Sequence, residues 1–404
     1  MSVPAAKGNH RGGRRERIDV RTSGNCKVSV IVPMYDSAKF LRTCLDSLKA
    51  QTLEDIEIIC VDDGSKDDTV AIASEFAAKD GRFKVLRQEH HCAGVARNLG
   101  VANAMGECVA FLDADDFAEP DFLARMYDAR LKQNAEVVVC GANCYVGATG
   151  TRTVEPNFLR MDLLPGGCEA VIPKDIGGVL FNFTGGNPWN KLFLRDFVIR
   201  QGFRFLSLRN TEDVFFVYPA LATAKRIAVV DSPLVNHRAD NPNSLEQTKD
   251  ESPLAFFEAY EELQEELRRR DLYGRYGESF VRCVAEKFVY NLLGLHSYAA
   301  FRRAYAVIRD RGIRVFALLD GVETTANTML ANIRDYECEE YLFKTMAAEH
   351  AARVKNWNER MKFAQEVKDL KAGIARIKSS KSYRIGRFLT WPVRKIRRVF
   401  SRKS

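Results

Sequence analysis

The sequence predicts an α/β fold, a mainly parallel sheet with helices on both faces, followed by a mostly helical C-terminal region. Three observations carry this. Between Lys27 and Val146, short β-branched runs alternate strictly with segments of helical apolar spacing, the order that right-handed βαβ crossovers produce. Two of those runs switch from apolar to acidic within one residue, where the rim of a covered sheet should lie. Beyond Ser252, Gly and Pro thin out and the apolar spacing turns helical.

The elements follow in order. KVSVIVP (27–33) reads as the first strand, SAKFLRTCLDSLKAQ (37–51) as a helix, IEIICV (56–61) as the second strand and DTVAIASEFAAKDG (68–81) as the second helix. FKVLRQ, a helix over GVARNLGVANAMG, ECVAFL (107–112), a helix beginning near Glu119 and AEVVVCGANCYV complete the alternation. The pattern then loosens. GGNPWNKLFLRDFVIRQG (185–202) reads as a loop feeding a helix that ends at Gly202, TEDVFFVYPALATA (211–224) as a helix, and RIAVVDSPLVNHR as a strand. Residues 346–378 form a long polar helix in which Val354, Trp357, Met361 and Ala364 recur at heptad-like steps, a surface for self-association. No internal repeat is present.

Composition bounds the function. Of 404 residues, 46% are hydrophobic and 28% charged, as in soluble globular proteins, and no apolar run is long enough to span a bilayer. The opening MSVPAAKGNHRGGRRER is basic and lacks an apolar segment, so a cytoplasmic address is expected rather than secretion. The 10 Cys are scattered without metal-ligand spacing, which suits reduced core thiols. The net charge of +8 is unevenly placed: residues 1–24 hold about +4 and everything after Asp369 about +12, leaving a middle of about −8. An acidic folded body argues against nucleic-acid binding.

Sheets of this type bind ligands beyond the carboxyl ends of their strands. Asp62 and Asp63 follow IEIICV there, and Asp113, Asp115 and Asp116 follow ECVAFL. In an extended strand, Asp113 and Asp115 point to one side while Asp116 faces elsewhere. Two hard oxygen ligands suit Mg²⁺ or Mn²⁺, with phosphate and water completing the shell; for Asp116, termination of the strand and capping of the next helix is the competing reading. Ser65 and Asp68 have capping-box spacing, and Asp67 and Asp68 suit a helix's first turn.

VSVIVPMYDSAKFLRTCLDSLKAQT, IEIICVDDGSKDDT and GVARNLGVANAMGECVAFLDADD together resemble the nucleotide-sugar-binding half of glycosyltransferase family 2, inverting enzymes with the Rossmann-like GT-A fold. WNKLF (189–193) and TEDVFF (211–216) resemble that family's acceptor-side motifs, extending the likeness to about residue 245. The resemblance implies that Pro33 and Tyr35 line a base pocket, that Asp62 contacts uracil or its equivalent, and that Arg97 faces the donor phosphates; the competing readings are a rim aromatic for Tyr35 and a helix-surface ion pair for Arg97. Asp113 would bind ribose and share the metal with Asp115. Asp213 would be the general base that deprotonates the acceptor hydroxyl, with Glu212 orienting it; the competing reading has both acids in the first turn of a helix capped by Thr211. Trp189 and Lys191 would shape the acceptor side, core packing being the competing reading for Trp189; Arg238 would clamp phosphate and His237 would add a metal ligand. One departure is EHHCAGVARN, where the family often has Asn and Gly; His90 and His91 read as ordinary loop residues, because adjacent side chains diverge.

SYRIGRFLTWPVRKIRRVFSRKS reads as a basic interfacial helix suited to an anionic membrane surface. The domain reading is a basic disordered arm (1–26), a GT-A domain (27–245) with nucleotide-sugar and acceptor halves meeting at 145/146, a helical region (246–345), and a long helix with basic tail (346–404). The expected activity is metal-assisted, inverting transfer of a sugar from a nucleotide diphosphate, a UDP-sugar by preference, to a hydroxyl of a cell-surface or polyprenyl-linked glycan. The alternative is a catalytically silent relative serving as a scaffold in glycan assembly.

Overall fold

The computed structural model describes residues 26–242, 244–245 and 247–379. The basic arm, Cys26 apart, and the basic tail from residue 380 lie outside the described residues. The chain divides into two compact units after Arg334.

In the first unit, β1 (Val28–Met34), β2 (Ile56–Asp62), β3 (Phe83–Arg87) and β4 (Cys108–Phe111) alternate with α1 (Ala38–Lys49), α2 (Thr69–Lys79) and α3 (Ala93–Asn103). These four strands pair in parallel in the order β3-β2-β1-β4. β1, β2 and β4 are almost wholly buried because helices cover both faces. α1 shows how the covering works: Leu41, Cys44, Leu45 and Leu48 recur at helical spacing and turn one stripe into the core.

The sheet continues through β5 (Phe117–Ala118), α4 (Phe122–Gln133), β6 (Val137–Val146), β7 (Thr151–Val154), β8 (Ala170–Val171), β9 (Lys191–Leu194), α5 (Arg195–Gln201), α6 (Val214–Thr223) and β10 (Ile227–Arg238). β10 runs parallel to β6, as expected of a mainly parallel sheet. β9 is a departure from the sequence reading: KLFL is not loop but an antiparallel strand wedged between β4 and β6. It joins the two halves of the sheet into one order, β3-β2-β1-β4-β9-β6-β10-β5. The helix after it ends as expected at Gly202, whose φ of 67° lies in the left-handed region that favours glycine.

α7 (Ala255–Arg269), α8 (Tyr273–Leu293) and α9 (Tyr298–Val307) belong to the same compact unit as the sheet. The link is a packed core: Phe181 meets Tyr218 of α6 and Tyr276 of α8. The second unit is dominated by one helix, Cys338–Ser379, which begins earlier than the 346 read from the sequence. All 10 cysteines are free thiols, most of them buried. No helix of the described residues is long and apolar enough to cross a membrane.

Gly100 shows how tightly α3 lies on β1, since a Cβ there would run into Cγ1 and Cγ2 of Ile31. Gly100→Ala is therefore expected to destabilise the first unit by about 1–3 kcal/mol, as overpacked cores do, read as a lower urea midpoint. An unchanged midpoint would show that α3 has room to shift.

Candidate active site

The site forms where β1, β2 and β4 end. The Asp67 carboxylate accepts from the backbone N–H of Ala38 at 3.0 Å and of Thr69 at 2.9 Å, so one side chain serves the first turns of both α1 and α2. Asp67 thus has the structural role read for it. The Ser65–Asp68 capping box does not form: Asp68 makes no side-chain cap bond, and the Ser65 hydroxyl accepts from Asp36 N–H at 3.0 Å. Two turns bonding each other across the crevice outcompete the local cap.

Asp62 is 0% exposed at the end of β2. One carboxylate oxygen accepts from Ser65 N–H at 3.2 Å, while the other lies 3.5 Å from Arg87 Nε and has no hydrogen bond. A buried orphaned acceptor of this kind is unusual. Tyr35 stands at the rim, exposed, beside half-buried Pro33. One face of its ring is covered by His90, with centroids 4.1 Å apart, which leaves the other face for a ligand. His90 and His91 diverge: the His90 ring bonds Asp63, and His91 offers its backbone N–H to the same carboxylate.

Arg97 departs from its expected place against phosphates. Its guanidinium is buried and stacked over Phe205. Nη2 donates to Asp113 Oδ1 at 2.7 Å, and Nη1 donates to Glu212 Oε1 at 2.6 Å. Burial opposes the charge, but Asp113 and Glu212 outweigh it and hold the group protonated. The reason for this placement is a clasp that motif reading missed: Asn98 Nδ2 donates to Phe205 O and Asn98 Oδ1 accepts from Phe205 N–H, both at 2.9 Å. That pins the loop carrying Glu212 onto α3. Gly94 permits the approach, since a Cβ there would crowd Glu212 Cγ at 2.9 Å. The sequence signal was an Asn inside a helix, a residue that favours caps and turns.

β4 ends at Phe111, and residues 113–116 form a turn closed by Asp116 N–H to Asp113 O at 3.0 Å. Asp113 and Asp115 therefore do not share a strand face as the i, i+2 reading has it. Asp113 turns to Arg97, while Asp115 Oδ2 accepts from Asn241 at 2.7 Å. Burial, then the Asp116 and Asp113 carboxylates, push Asp115 up to about 6. Among the described residues no three His, Cys, Asp or Glu side chains form a metal cage.

Arg238 also departs from its expected role. Its guanidinium lies between the Phe40 and Tyr145 rings, and Nε donates to Asp115 O at 3.0 Å. Its backbone N–H donates to Asp116 Oδ1 at 2.8 Å, so it props the acidic turn instead of reaching into the crevice. Asp116 is fully buried, its other oxygen 3.1 Å from His237 Nδ1. Burial works against an imidazolium, yet Asp116 outweighs it and lifts His237 to about 9. Trp189 is buried against this ring, stacked at 5.3 Å and 8°, so it orients His237 and does not present a face to a sugar.

Asp213 stands at the N-cap position of α6 and is half-buried. Burial and the neighbouring Glu212 push it up to about 7, and burial lifts Glu212 against the pull of Arg97. Thr211 does not cap the helix: its φ is 61° and its hydroxyl turns to Asn210. Behind this turn, Lys191 is fully buried, with Nζ donating to Gly185 O at 2.9 Å, Asn187 O at 2.7 Å and Asn190 Oδ1 at 2.8 Å. Burial pushes it down to about 7, but three acceptors use all three ammonium protons. It thus shapes the 185–190 loop from within and does not line the acceptor side.

Residues 29–194 match the family described as Glycosyl transferase family 2. EpsH of Bacillus subtilis (strain 168), named as a glycosyltransferase, is 31% identical over 262 residues, which is 63% of this chain and 74% of that protein. EpsJ of the same organism, named as an uncharacterized glycosyltransferase, is 33% identical over 222 residues, 54% of this chain and 62% of its own length. In fold, S. aureus TarS 1–349, solved in complex with UDP, is similar at a TM-score of 0.56 and 22% identity, covering 78% of this chain and 89% of that one. The chain belongs to glycosyltransferase family 2, and its fold is GT-A with a helical C-terminal region. It is a glycosyltransferase.

Lys191→Met strands the carbonyls of Gly185 and Asn187 and is expected to cost about 2–5 kcal/mol, measured as a shift in the urea midpoint. A shift below 1 kcal/mol would mean that water replaces the ammonium at little cost.

Proposed function

We propose that this chain moves one sugar, with inversion, from a UDP-sugar to a hydroxyl of a cell-surface or lipid-linked glycan. The observation that carries the reading is the buried bridge Asp113–Arg97–Glu212, which ties the acidic turn to the loop bearing Asp213. A donor-side carboxylate and a carboxylate poised to accept a proton are thereby held as one frame.

The orphaned oxygen of Asp62 supports a nucleotide base with a single imide N–H, as uracil has, and the open face of Tyr35 supports stacking. Reaching Asp62 requires the Ser65 turn to open, since the carboxylate is sealed. The donor set of the acidic turn fits Mg²⁺ or Mn²⁺ of the kind that substrate phosphates complete, because Asp115 sits among carboxylates that repel its charge. Asp113 and Asp115 would hold the ion, with phosphate and water oxygens completing its shell; His237, kept protonated beside Asp116, would not join them. Such an ion, when bound, neutralises charge on the departing diphosphate. Asp213 takes the acceptor proton while the hydroxyl oxygen forms its bond to the anomeric carbon and the bond to the diphosphate breaks on the opposite face. An α-configured donor then gives a β-linkage. Glu212, held by Arg97, keeps a second negative group beside the base and helps it retain the proton.

A panel of nucleotide-sugars assayed with Mg²⁺ or Mn²⁺ tests the reading; no metal-dependent turnover or binding of any UDP-sugar would overturn it. Asp213→Asn is expected to lower kcat by about 10²–10⁴ with donor affinity retained. A base must be deprotonated to act, and its pKa is raised to about 7. The wild-type rate should therefore climb as pH rises through neutrality, and a rate flat from pH 5 to 8 would assign the base elsewhere.

A further inference from the structure

α8 and α9 meet in a tight turn at residues 294–297, where Ser297 caps α9 by accepting from Ala300 N–H at 3.2 Å. Around it Tyr290, Leu293 and Tyr298 are 53%, 63% and 53% exposed. Tyr290 and Leu293 lie three apart on α8 and share a face. Large apolar side chains gathered at one corner of a soluble unit call for an explanation.

The charge around them is mostly positive. From Glu286 to Asp310 the chain carries four basic side chains and two acidic ones, one at each end, and Arg302 and Arg303 are exposed. Neighbouring carboxylates have partners: Asp250 accepts from His296 N–H at 2.9 Å, Glu251 pairs with Arg209 at 2.5 Å, and Asp310 pairs with Arg309 at 2.7 Å. Lys249 Nζ sits 4.2 Å over the Tyr290 ring. Tyrosines with an apolar body and polar tip, a protruding leucine, and a basic surround match the boundary of an anionic bilayer.

This corner is joined to the acceptor side of the crevice. The short turn Lys249–Glu251 touches Tyr290 and His296 on one side. On the other, Glu251 holds Arg209, and Ser252 Oγ accepts from Asn210 Nδ2 at 2.7 Å, directly ahead of Glu212 and Asp213. We propose that the α8–α9 corner docks on an anionic lipid bilayer, so that an acceptor anchored in that bilayer meets the loop that carries Asp213. The docking itself is independent of the catalytic reading; only the role given to the acceptor rests on it.

The test uses the full chain with Leu293→Cys bearing an environment-sensitive fluorophore, with identically treated wild type as background. Vesicles of phosphatidylglycerol and phosphatidylcholine in equal parts should raise and blue-shift the emission at position 293, and nitroxide-bearing lipids should quench it. Pure phosphatidylcholine should not. Arg302→Glu with Arg303→Glu should weaken the response about tenfold or more. If the emission stays unchanged while the protein sediments with the vesicles, docking lies elsewhere on the chain and the proposal is overturned. An equal response to neutral vesicles, or a response to a polyanion such as heparin and not to vesicles, overturns it as well. Donor hydrolysis without vesicles reads the catalytic proposal separately, and its loss in wild type would leave the fluorescence outcome standing.

Discussion

The buried guanidinium of Arg97 is the constraint on which the site depends. It sits on α3, takes Asp113 from the end of β4 with one amino group and Glu212 from the acceptor-side loop with the other, and rests on Phe205. An ion removed from water this completely is tolerable only because its partners are themselves buried and well aligned. The geometry of two distant chain segments is therefore set by one planar fork, a role that a lysine's single ammonium could not reproduce.

The acidic turn obeys a similar logic from its other side. β10 crosses behind it and supplies Arg238 and His237, whose contacts with Asp115 O and Asp116 fix the turn from below. Trp189, from the loop leading into β9, holds the imidazole flat. Arg238 and Trp189, read as ligand contacts, thus become scaffold, while Tyr35 stays exposed at the rim. Most polar groups that would be costly in a dry crevice are satisfied by one another; an oxygen of Asp62 and Nε of Arg97 are buried exceptions.

Much of this was legible in the chain because its signals are local. Apolar runs that end in carboxylates marked β2 and β4, and periodicity marked α1 to α4, since burial on both faces of a sheet imposes those patterns. β9 was not legible: the four residues Lys191–Leu194 carry too little periodicity, and their strand state comes from the two neighbours that sandwich them. The i, i+2 reading of Asp113 and Asp115 failed because the strand stops at Phe111 and the chain turns. That Arg97 bonds Glu212 was not legible, for Glu212 lies far along the chain and is delivered by the Asn98 clasp. Local sequence announces which residues are unusual; only the packed chain says what each one faces.

The position of β9 bears on how the chain is made. While it emerges from the ribosome, β4 and β6 exist before the segment that must lie between them, so both present unpaired backbone edges until Lys191–Leu194 arrives. Nascent chains cut short in that interval would hold two sticky borders with nothing to fill the gap. Closure of the sheet is thus a late, non-local event, of the kind that slows assembly and favours help from chaperones.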